Sequence, residues 1–465
     1  MNKNQNPAVF HRSDSVSQID LPGFSGRNWS LHFDEPELTS DAGLAAIAAS
    51  GVGDKLLRDI AGVIHDPRRS PNHTIDQLIG QRVYQIIGGN YDADDCDHLR
   101  EDIVLRSVAG RDLNKGALAS QPTMSRLENS VKRTDLLRIA QVIFRHYLDG
   151  FDDNPPPMIC IDMDPSAHLT YGLQQLSLFN SHVGDHCLMP FYIFDGCTGQ
   201  IMTAVLRPGK TPTAPEIIAI LKRLVANIRE RWPETKIVFR ADSHHTKPEV
   251  LDWLNEHKID FVTGLSKNDA VERLFFEEIN EARRAYQNNL EAKARGEFPG
   301  KYPTVVAFAD GYYAAGSWSK EERVVARIIV GPLGVDVRYI VTSFEQSDAR
   351  YVYATVYCQR GNAELFIKEC KLGLGSDRSS CTRWESNQFR LLLHVAAYVM
   401  MHRFRSEVLV DTKWERATFD EIRLRVIKVA GRLEVYKTKV KLHVAVALEP
   451  LLGGVWRTAA AVGTG

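Results

Sequence analysis

The segment MICIDMD, residues 158–164, is the stretch on which the fold prediction depends. It follows the Pro-rich break DDNPPP at 152–157 and is a short apolar run that ends in acidic residues. A run of this length next to turn residues indicates a buried strand. Asp162 and Asp164 stand two residues apart, and side chains at that spacing share one face of a strand. The segment therefore predicts the first strand of a sheet, with carboxylates at its carboxyl end.

The segments that follow alternate between strand and helix patterns. Two further strands, HCLMPFYIFDG and QIMTAVLRPG, are expected to be antiparallel neighbours joined around Gly199. The amphipathic helix APEIIAILKRLVANIRERW comes next, and then the strand KIVFRADS, the helix PEVLDWLNEH and the strand DFVTGLS. The order strand-strand-strand-helix-strand-helix-strand predicts an α/β fold in which helices cover a mixed sheet.

The composition and the predicted secondary structure change on either side of this sheet, and these changes divide the chain into parts. The predicted division is a polar flexible arm at 1–30, a helical region at 31–151, an α/β core formed by 152–268 and 346–410, a β-strand insertion at 269–345, and a basic region at 411–465. In the helical region, LASQPTMSRLENSVKRTDLLRIAQVIFRHYL predicts a short helix, a turn and a long helix. That pattern is compatible with a helix-turn-helix that reads DNA and with ordinary helical packing.

Composition and charge limit the classes of protein to consider. The chain is 44% hydrophobic and 25% charged, as in globular proteins. Its net charge of −1 does not indicate a nucleic-acid binder, but cations are concentrated between residues 378 and 441. This concentration is compatible with phosphate contacts and with solvated faces. Because no apolar run could cross a bilayer and the N-terminal residues do not resemble a secretory signal, we expect a cytoplasmic protein without a membrane partner.

The segment YCQRGNAELFIKECK, residues 357–371, places one carboxylate among cations. On a helix, Arg360, Glu364, Lys368 and Lys371 share one side, since residues three and four apart are neighbours. The carboxylate could ligate a metal ion while the cations bind phosphates. The alternative is a salt-bridged surface helix.

Asp242 ends the fourth predicted strand, in FRADSHH, so its carboxylate is expected near those of the first strand. Hard divalent cations prefer a few carboxylate oxygens together with water and phosphate. Two such ions can activate a nucleophile and stabilise a leaving oxygen in phosphoryl transfer. The alternative for each acid is a capping role in the next loop. His244 and His245 lack the helical spacing of a zinc motif, so we expect a loop or core role for them.

The spacing Tyr357-x2-Arg360-x3-Glu364-x6-Lys371 matches the tyrosine–arginine–glutamate–lysine signature of cut-and-paste insertion-sequence transposases of the DDE class. The chain resembles this family over about residues 150–430. The continuation SDRSSCTRWESNQFRLLLHVAAYVM is also similar, as is LRPG followed by a helix and RADS.

The resemblance implies an RNase H-like catalytic core with a β-strand insertion between the second Asp and the Glu. It assigns Asp164, in the context Asp164-Pro165-Ser166, as the first catalytic metal ligand, with Asp162 as the alternative. Asp242 and Glu364 are the second and third ligands, and the cofactor is Mg²⁺ or Mn²⁺. The residues expected to contact DNA are Tyr357, Arg360, Lys371, Lys368, Arg378 and Trp318. For Trp318 the expected role is stacking on a flipped base, and the alternative is packing within the insertion.

The implied function is a bacterial, nucleoid-associated transposase. It would bind the terminal inverted repeats of its element as a homodimer, cut them, and join the 3′ ends to target DNA. One alternative is an RNase H-like nuclease without strand transfer. The other is a catalytically inactive DNA-binding protein derived from a transposase.

Overall fold

The computed structural model describes residues 18–24, 27–151 and 154–464. Residues 1–17, 25 and 26 of the predicted flexible arm therefore lie outside the described residues. The remainder of that arm contains two paired antiparallel strands, β1 (Gln18–Phe24) and β2 (Arg27–His32), and the second of these is exposed along its length. This part of the chain has regular structure where the composition predicted none.

Helices make up most of residues 38–149. The elements are β3 (Leu38–Thr39), α1 (Leu44–Ala49), α2 (Asp54–Gly62), α3 (Ile75–Ile87), α4 (Cys96–Leu99), α5 (Ile103–Val108), α6 (Gln121–Ser130) and α7 (Arg133–Asp149). α3 begins with a capping box in which Thr74 and Gln77 satisfy each other's backbone amides. α6 and α7 are the short helix and the long helix that the sequence predicts.

The central sheet has the predicted mixed order. Its elements are β4 (Met158–Pro165), β5 (His168–Leu169), β6 (Leu178–Asn180), β7 (Asp185–Leu188), β8 (Phe191–Asp195), β9 (Ile201–Val205), α8 (Ala214–Arg231), β10 (Lys236–Ala241), α9 (Pro248–Glu256) and β11 (Asp260–Leu265). The main strands lie in the order β9-β8-β4-β10-β11. β8 and β9 form an antiparallel meander with β4, whereas β10 and β11 run parallel to it. The first strand therefore lies in the middle, as in an RNase H-like core, and the predicted fold class is confirmed.

The insertion continues this sheet. It comprises α10 (Asp269–Leu274), α11 (Phe276–Ala294), β12 (Val305–Tyr313), β13 (Glu322–Gly331) and β14 (Gly334–Thr342). β14 pairs antiparallel with β11, which produces one eight-stranded sheet. The strands are antiparallel as predicted, and they extend the central sheet at its β11 edge. Without β14, β11 would be an open edge with unpaired backbone groups.

An unbroken helical stretch follows at 351–373. Its regular part, α12 (Gly361–Lys368), is preceded by π-helical and 3₁₀ turns at Tyr351–Tyr357 and Cys358–Arg360 and followed by a π-helical turn at Glu369–Gly373. The remaining elements are α13 (Trp384–Arg403), α14 (Phe419–Ile422), β15 (Gly431–Val435), β16 (Val440–Val444) and α15 (Glu449–Val462). π-Helical turns inside helices are frequent at functional sites.

The hydrophobic core does not follow the predicted boundaries at 151 and 410. α13 is buried on almost every side, so it needs cover all round. The N-terminal helices, one face of β8 and β9, and the C-terminal elements supply that cover in one continuous cluster. β3 also pairs with β15, which joins the two predicted terminal regions in one small sheet. α8, α9 and α11 cover the opposite face of the central sheet.

In the part of the chain that the structure describes, no helix is long and apolar enough to span a membrane.

Candidate catalytic site

The carboxyl ends of β4 and β10 bring two of the predicted acids to one edge of the sheet. β4 and β10 are parallel neighbours in which Met163 pairs with Ala241. Asp164 and Asp242 each come one residue later, so both carboxylates lie at the same end of adjacent strands. Open α/β sheets commonly place their sites at this end.

The helical stretch adds the third predicted acid through an arginine. Arg360 donates from Nη1 to Asp164 Oδ2 at 2.8 Å and from Nη2 to Glu364 Oε1 at 2.9 Å. Arg360 and Glu364 stand four residues apart, so a helix places them side by side. The Asp164 side chain is 10% exposed, whereas that of Glu364 is 62% exposed. The guanidinium thus lies between one buried and one open carboxylate.

The buried Asp164 and the half-buried Asp242 have pKa values that shift in opposite directions. Burial raises the pKa of Asp164 to about 7; Arg360 opposes this shift, and the nearby charges of Asp242 and Glu364 add to it. Burial also acts to raise the pKa of Asp242, but hydrogen bonds and charge from His245 and His244 hold that pKa well below its usual range. Asp242 is therefore ionised near neutral pH, whereas burial disfavours the ionised form of Asp164.

Two histidines position Asp242. His244 donates its amide to Oδ1 at 2.9 Å, and its Nδ1 lies 2.9 Å from Oδ2. His245 is fully buried, and its Nδ1 lies 2.8 Å from Oδ1. The prediction of a loop or core role for these histidines did not include this contact. Their position directly after a strand-end acid was the available signal.

Asp162 does not belong to the cluster. Its two oxygens accept from Arg240 Nε at 2.6 Å and Nη2 at 2.7 Å, and the residue is completely buried. Arg240 also donates to the carbonyl of Val356 at 2.7 Å, which fastens the helical stretch to the sheet. Because a buried guanidinium holds both of its oxygens, the structure favours Asp164 over Asp162 as the first metal ligand, and that assignment stays a prediction.

Two further predicted residues lie beside the acids. Lys371 donates to Ser166 Oγ at 3.3 Å and to the carbonyl of Ala167 at 2.8 Å, so it holds the loop that follows Asp164. The Tyr357 hydroxyl lies over Gly264 of β11, where a Cβ atom would stand 2.9 Å from it. A side chain at Gly264 would therefore push Tyr357 away from the site.

The other three residues predicted to contact DNA form no contact with the acids of this cluster among the described residues. Lys368 is exposed on α12. Arg378 forms an ion pair with Asp92 at 2.7 Å. Trp318 packs edge-on against Tyr313, with ring centroids 5.4 Å apart, in the core that lies beneath α11. For Trp318, packing within the insertion was the alternative considered from the sequence.

A cavity of about 390 Å³ opens beside Asp242, and part of its lining was not predicted. Tyr357 and Arg360 line one side. Lys267 and two arginines of the insertion strands, Arg327 and Arg338, line the rest together with buried tyrosines. The insertion therefore contributes cations next to the acids, a consequence of its joining the central sheet at β11.

The family model for transposase DDE domain group 1 matches residues 22–450. The chain belongs to this family. No curated protein matches its sequence. Among solved structures, a cryo-EM structure of the piggyBac transposase synaptic complex with hairpin DNA is similar at 11% identity, with a TM-score of 0.43, over 84% of this chain and 80% of that one.

Membership of the DDE transposase family implies a divalent metal ion, and the site fits one in its chemistry. Asp164, Asp242 and Glu364 interact electrostatically, and carboxylate oxygens are the ligands that Mg²⁺ and Mn²⁺ prefer. Among the described residues, however, no group of three or more His, Cys, Asp or Glu side chains is close enough to hold an ion. Arg360 bridges Asp164 and Glu364 instead.

Proposed function

We propose that this transposase cleaves DNA at the ends of its own element and joins the 3′ ends to target DNA by two-metal-ion phosphoryl transfer. Asp164, Asp242 and Glu364 would hold Mg²⁺ or Mn²⁺. Metal ions held in this way activate the attacking oxygen and stabilise the leaving one. The observation that carries the proposal is the convergence of Asp164 and Asp242 at one sheet edge, with Glu364 tied to Asp164 through Arg360.

The cationic and aromatic residues around the acids suit a DNA backbone. Arg360 has a planar guanidinium that can exchange its two carboxylate partners for a phosphate of similar geometry. That exchange would free Asp164 and Glu364 when DNA arrives. Lys371 holds the loop after Asp164, and Tyr357 faces the cavity beside Asp242. Both are within the region that a scissile phosphate must reach.

Further DNA contacts are proposed for the helical region at 31–151 and the basic residues between 378 and 441. Two element ends must be processed together, which supports a homodimer as the synaptic form. The proposed partners are therefore the terminal inverted repeats, target DNA and a second copy of the chain, acting in the bacterial cytoplasm at the nucleoid.

The test is an excision and joining assay with a donor plasmid that carries the DNA flanking the gene, a target plasmid and Mg²⁺. We expect excised element and joined products with the wild type and neither with Glu364→Gln. The matched control is Glu281→Gln, which changes an exposed glutamate on α11 and should leave both products unchanged.

Two outcomes would contradict the proposal in different ways. Pre-cut ends that are hydrolysed but never joined to the target would show a nuclease without strand transfer. Full activity in Glu364→Gln would remove the catalytic assignment, and the protein would then be a DNA-binding relative of transposases.

A further inference from the structure

A second cationic cavity lies in the helical region, outside the catalytic site. It has a volume of about 600 Å³ and is formed by the loop between α2 and α3, the end of α4 and one side of α6. Its charged lining consists of Arg68, Arg69, Arg100, Arg126 and a single carboxylate, Asp66. A basic cleft of this kind is unexpected on a chain whose net charge is −1.

Within the described part of the chain, most of this positive charge has no carboxylate partner. Asp66 pairs with Arg68 through two hydrogen bonds of 2.7 and 2.8 Å. Arg69, Arg100 and Arg126 have no carboxylate partner among the described residues. Unpaired arginines grouped in a concave surface attract a multivalent anion, and a planar guanidinium matches a phosphate especially well.

The floor of the cleft contains an unpaired buried group. His73 is only 9% exposed and lines the cavity, and no described residue forms a hydrogen bond with its Nδ1 atom. Burial lowers the pKa of His73, and the positive charges of Arg111, Arg100 and Arg68 lower it further, so these cations act together at this point.

The cleft is also held rigidly. Arg111 donates to the Asn72 carbonyl at 2.6 Å and to the Lys115 carbonyl at 2.8 Å, which fixes the loop before α3. Gln81 exchanges two hydrogen bonds with the backbone of Ala119, at 2.9 and 3.0 Å, which fixes the start of α6. The amide of Gln121 is already taken by Asp97, so an anion in the cleft would be bound by side chains.

We propose that this cleft, defined by Arg68, Arg69, Arg100, Arg126 and His73, binds the phosphate backbone of duplex DNA away from the cleavage point. The proposal rests on the proposed function, because it takes DNA as the substrate. The arginines lie on three separate elements, so they can follow consecutive phosphates. The contact is to phosphates and therefore independent of base sequence.

The test measures binding without catalysis, in EDTA, by fluorescence anisotropy with a labelled duplex from the element end over a range of salt concentrations. The variant is Arg69→Glu/Arg126→Glu, which changes two exposed residues. Loss of two phosphate contacts should reduce the slope of log K against log salt by about 2 and weaken binding by roughly tenfold or more. An unrelated duplex should lose affinity by the same factor.

The matched control is Lys222→Glu/Arg284→Glu, which makes the same charge change on α8 and α11, on the other side of the sheet. It should retain both the slope and the affinity. Arg126→Gln, a milder change, should reduce the slope by about 1.

Two results would overturn the inference while leaving the proposed function intact. In the first, the wild type binds and cuts the element end, and both cleft variants bind like the control. In the second, inorganic phosphate stabilises the wild type through the cleft but duplex affinity does not depend on it, which would indicate a site for a small anion. A wild type that binds no duplex at any salt concentration would instead overturn the proposed function, and this inference with it.

Discussion

Asp162 and Asp164 share one face of β4, yet the first lies in a sealed ion pair and the second in an open cluster of acids. Both oxygens of Asp162 accept from Arg240, at 2.6 and 2.7 Å, and neither residue of the pair reaches solvent appreciably. Asp164 shares Arg360 with the largely exposed Glu364 and faces Asp242 as well. The two carboxylates are two residues apart on β4, and each is paired with an arginine.

The difference separates an arginine with a buried structural pair from one that the proposed function makes exchangeable. Arg240 is buried, and its third contact is the carbonyl of Val356, so moving it would leave an unpaired charge inside the protein and loosen the helical stretch. Arg360 is near the surface and lines the cavity beside Asp242. The proposed function requires that it leave its carboxylates for a phosphate. The proposed catalysis would use the acids around Arg360, while the Asp162–Arg240 pair holds the helical stretch against the sheet.

The largest expected effect is on catalysis through Asp164. We expect Asp164→Asn to reduce cleavage of element ends by about 10³-fold or more, because an amide cannot replace a carboxylate as a metal ligand and catalytic groups act as a unit. Duplex binding in EDTA should remain. Cleavage would be measured by single turnover on labelled ends. If cleavage survived in Asp164→Asn but not in a folded Asp162→Asn variant, Asp162 would be the catalytic acid and Asp164 the structural one.

The next effect is on stability through Asp162. Asp162→Asn removes the charge that balances buried Arg240, which should lower the free energy of unfolding by roughly 3–5 kcal/mol. The exposed Asp269→Asn on α10 is the control and should change it by less than about 0.5 kcal/mol. Urea denaturation would measure both. If Asp162→Asn were as stable as the control, the ion pair would not be structural.

Replacing both partners should recover part of that loss. In Asp162→Leu/Arg240→Met no charge is left buried without a partner, so we expect the double variant to be more stable than Asp162→Asn by about 1–2 kcal/mol. Recovery should be incomplete, because Arg240 also donates to Val356. The same denaturation series checks this. A double variant less stable than Asp162→Asn would show that the contact to Val356 dominates.

The sequence alone could predict the sheet and two acids, since both follow from local patterns. The strand ending in Asp164, the strand ending in Asp242 and the spacing from Tyr357 to Lys371 are all short-range features. The role of Asp162 was not predictable in this way, because its partner Arg240 is 78 residues away and only the pairing of β4 with β10 brings them together.

Other features depended equally on long-range pairing. The attachment of β14 to β11 decides that Arg327 and Arg338 reach the site, and nothing within the insertion indicates which edge it joins. The shared core around α13 likewise joins segments from both ends of the chain. The predicted domain boundaries followed composition, which does not record such contacts.

The proposed exchange of Arg360 from carboxylates to a phosphate can be tested by comparing lysine substitutions at Arg360 and at Arg240. Arg360→Lys keeps a charge but loses the planar fork, so it can no longer hold two carboxylates or a phosphate through two parallel bonds. We expect cleavage to fall by roughly 10- to 100-fold, about 1.4–2.7 kcal/mol in activation free energy, with an unchanged melting temperature. Arg240→Lys should instead lower the melting temperature, and it should do so whether or not metal is present. Equal effects of the two variants on stability would mean that Arg360 is also structural.

The smallest expected effect is the pH dependence of stability in EDTA. The pKa of Asp164 is about 7 in the folded protein and 3.8 for an ordinary Asp. The folded state therefore binds more protons than the unfolded state between these values, and stability falls as pH rises through this window. Asp164→Asn removes this loss, so the variant should gain stability relative to the wild type from pH 5 to pH 8, by on the order of 1–2 kcal/mol. Denaturation at several pH values measures the difference. If the difference in unfolding free energy between the variant and the wild type did not change with pH, Arg360 would be cancelling the effect of burial on the pKa of Asp164. Asp164 and Asp162 would then differ in exposure alone.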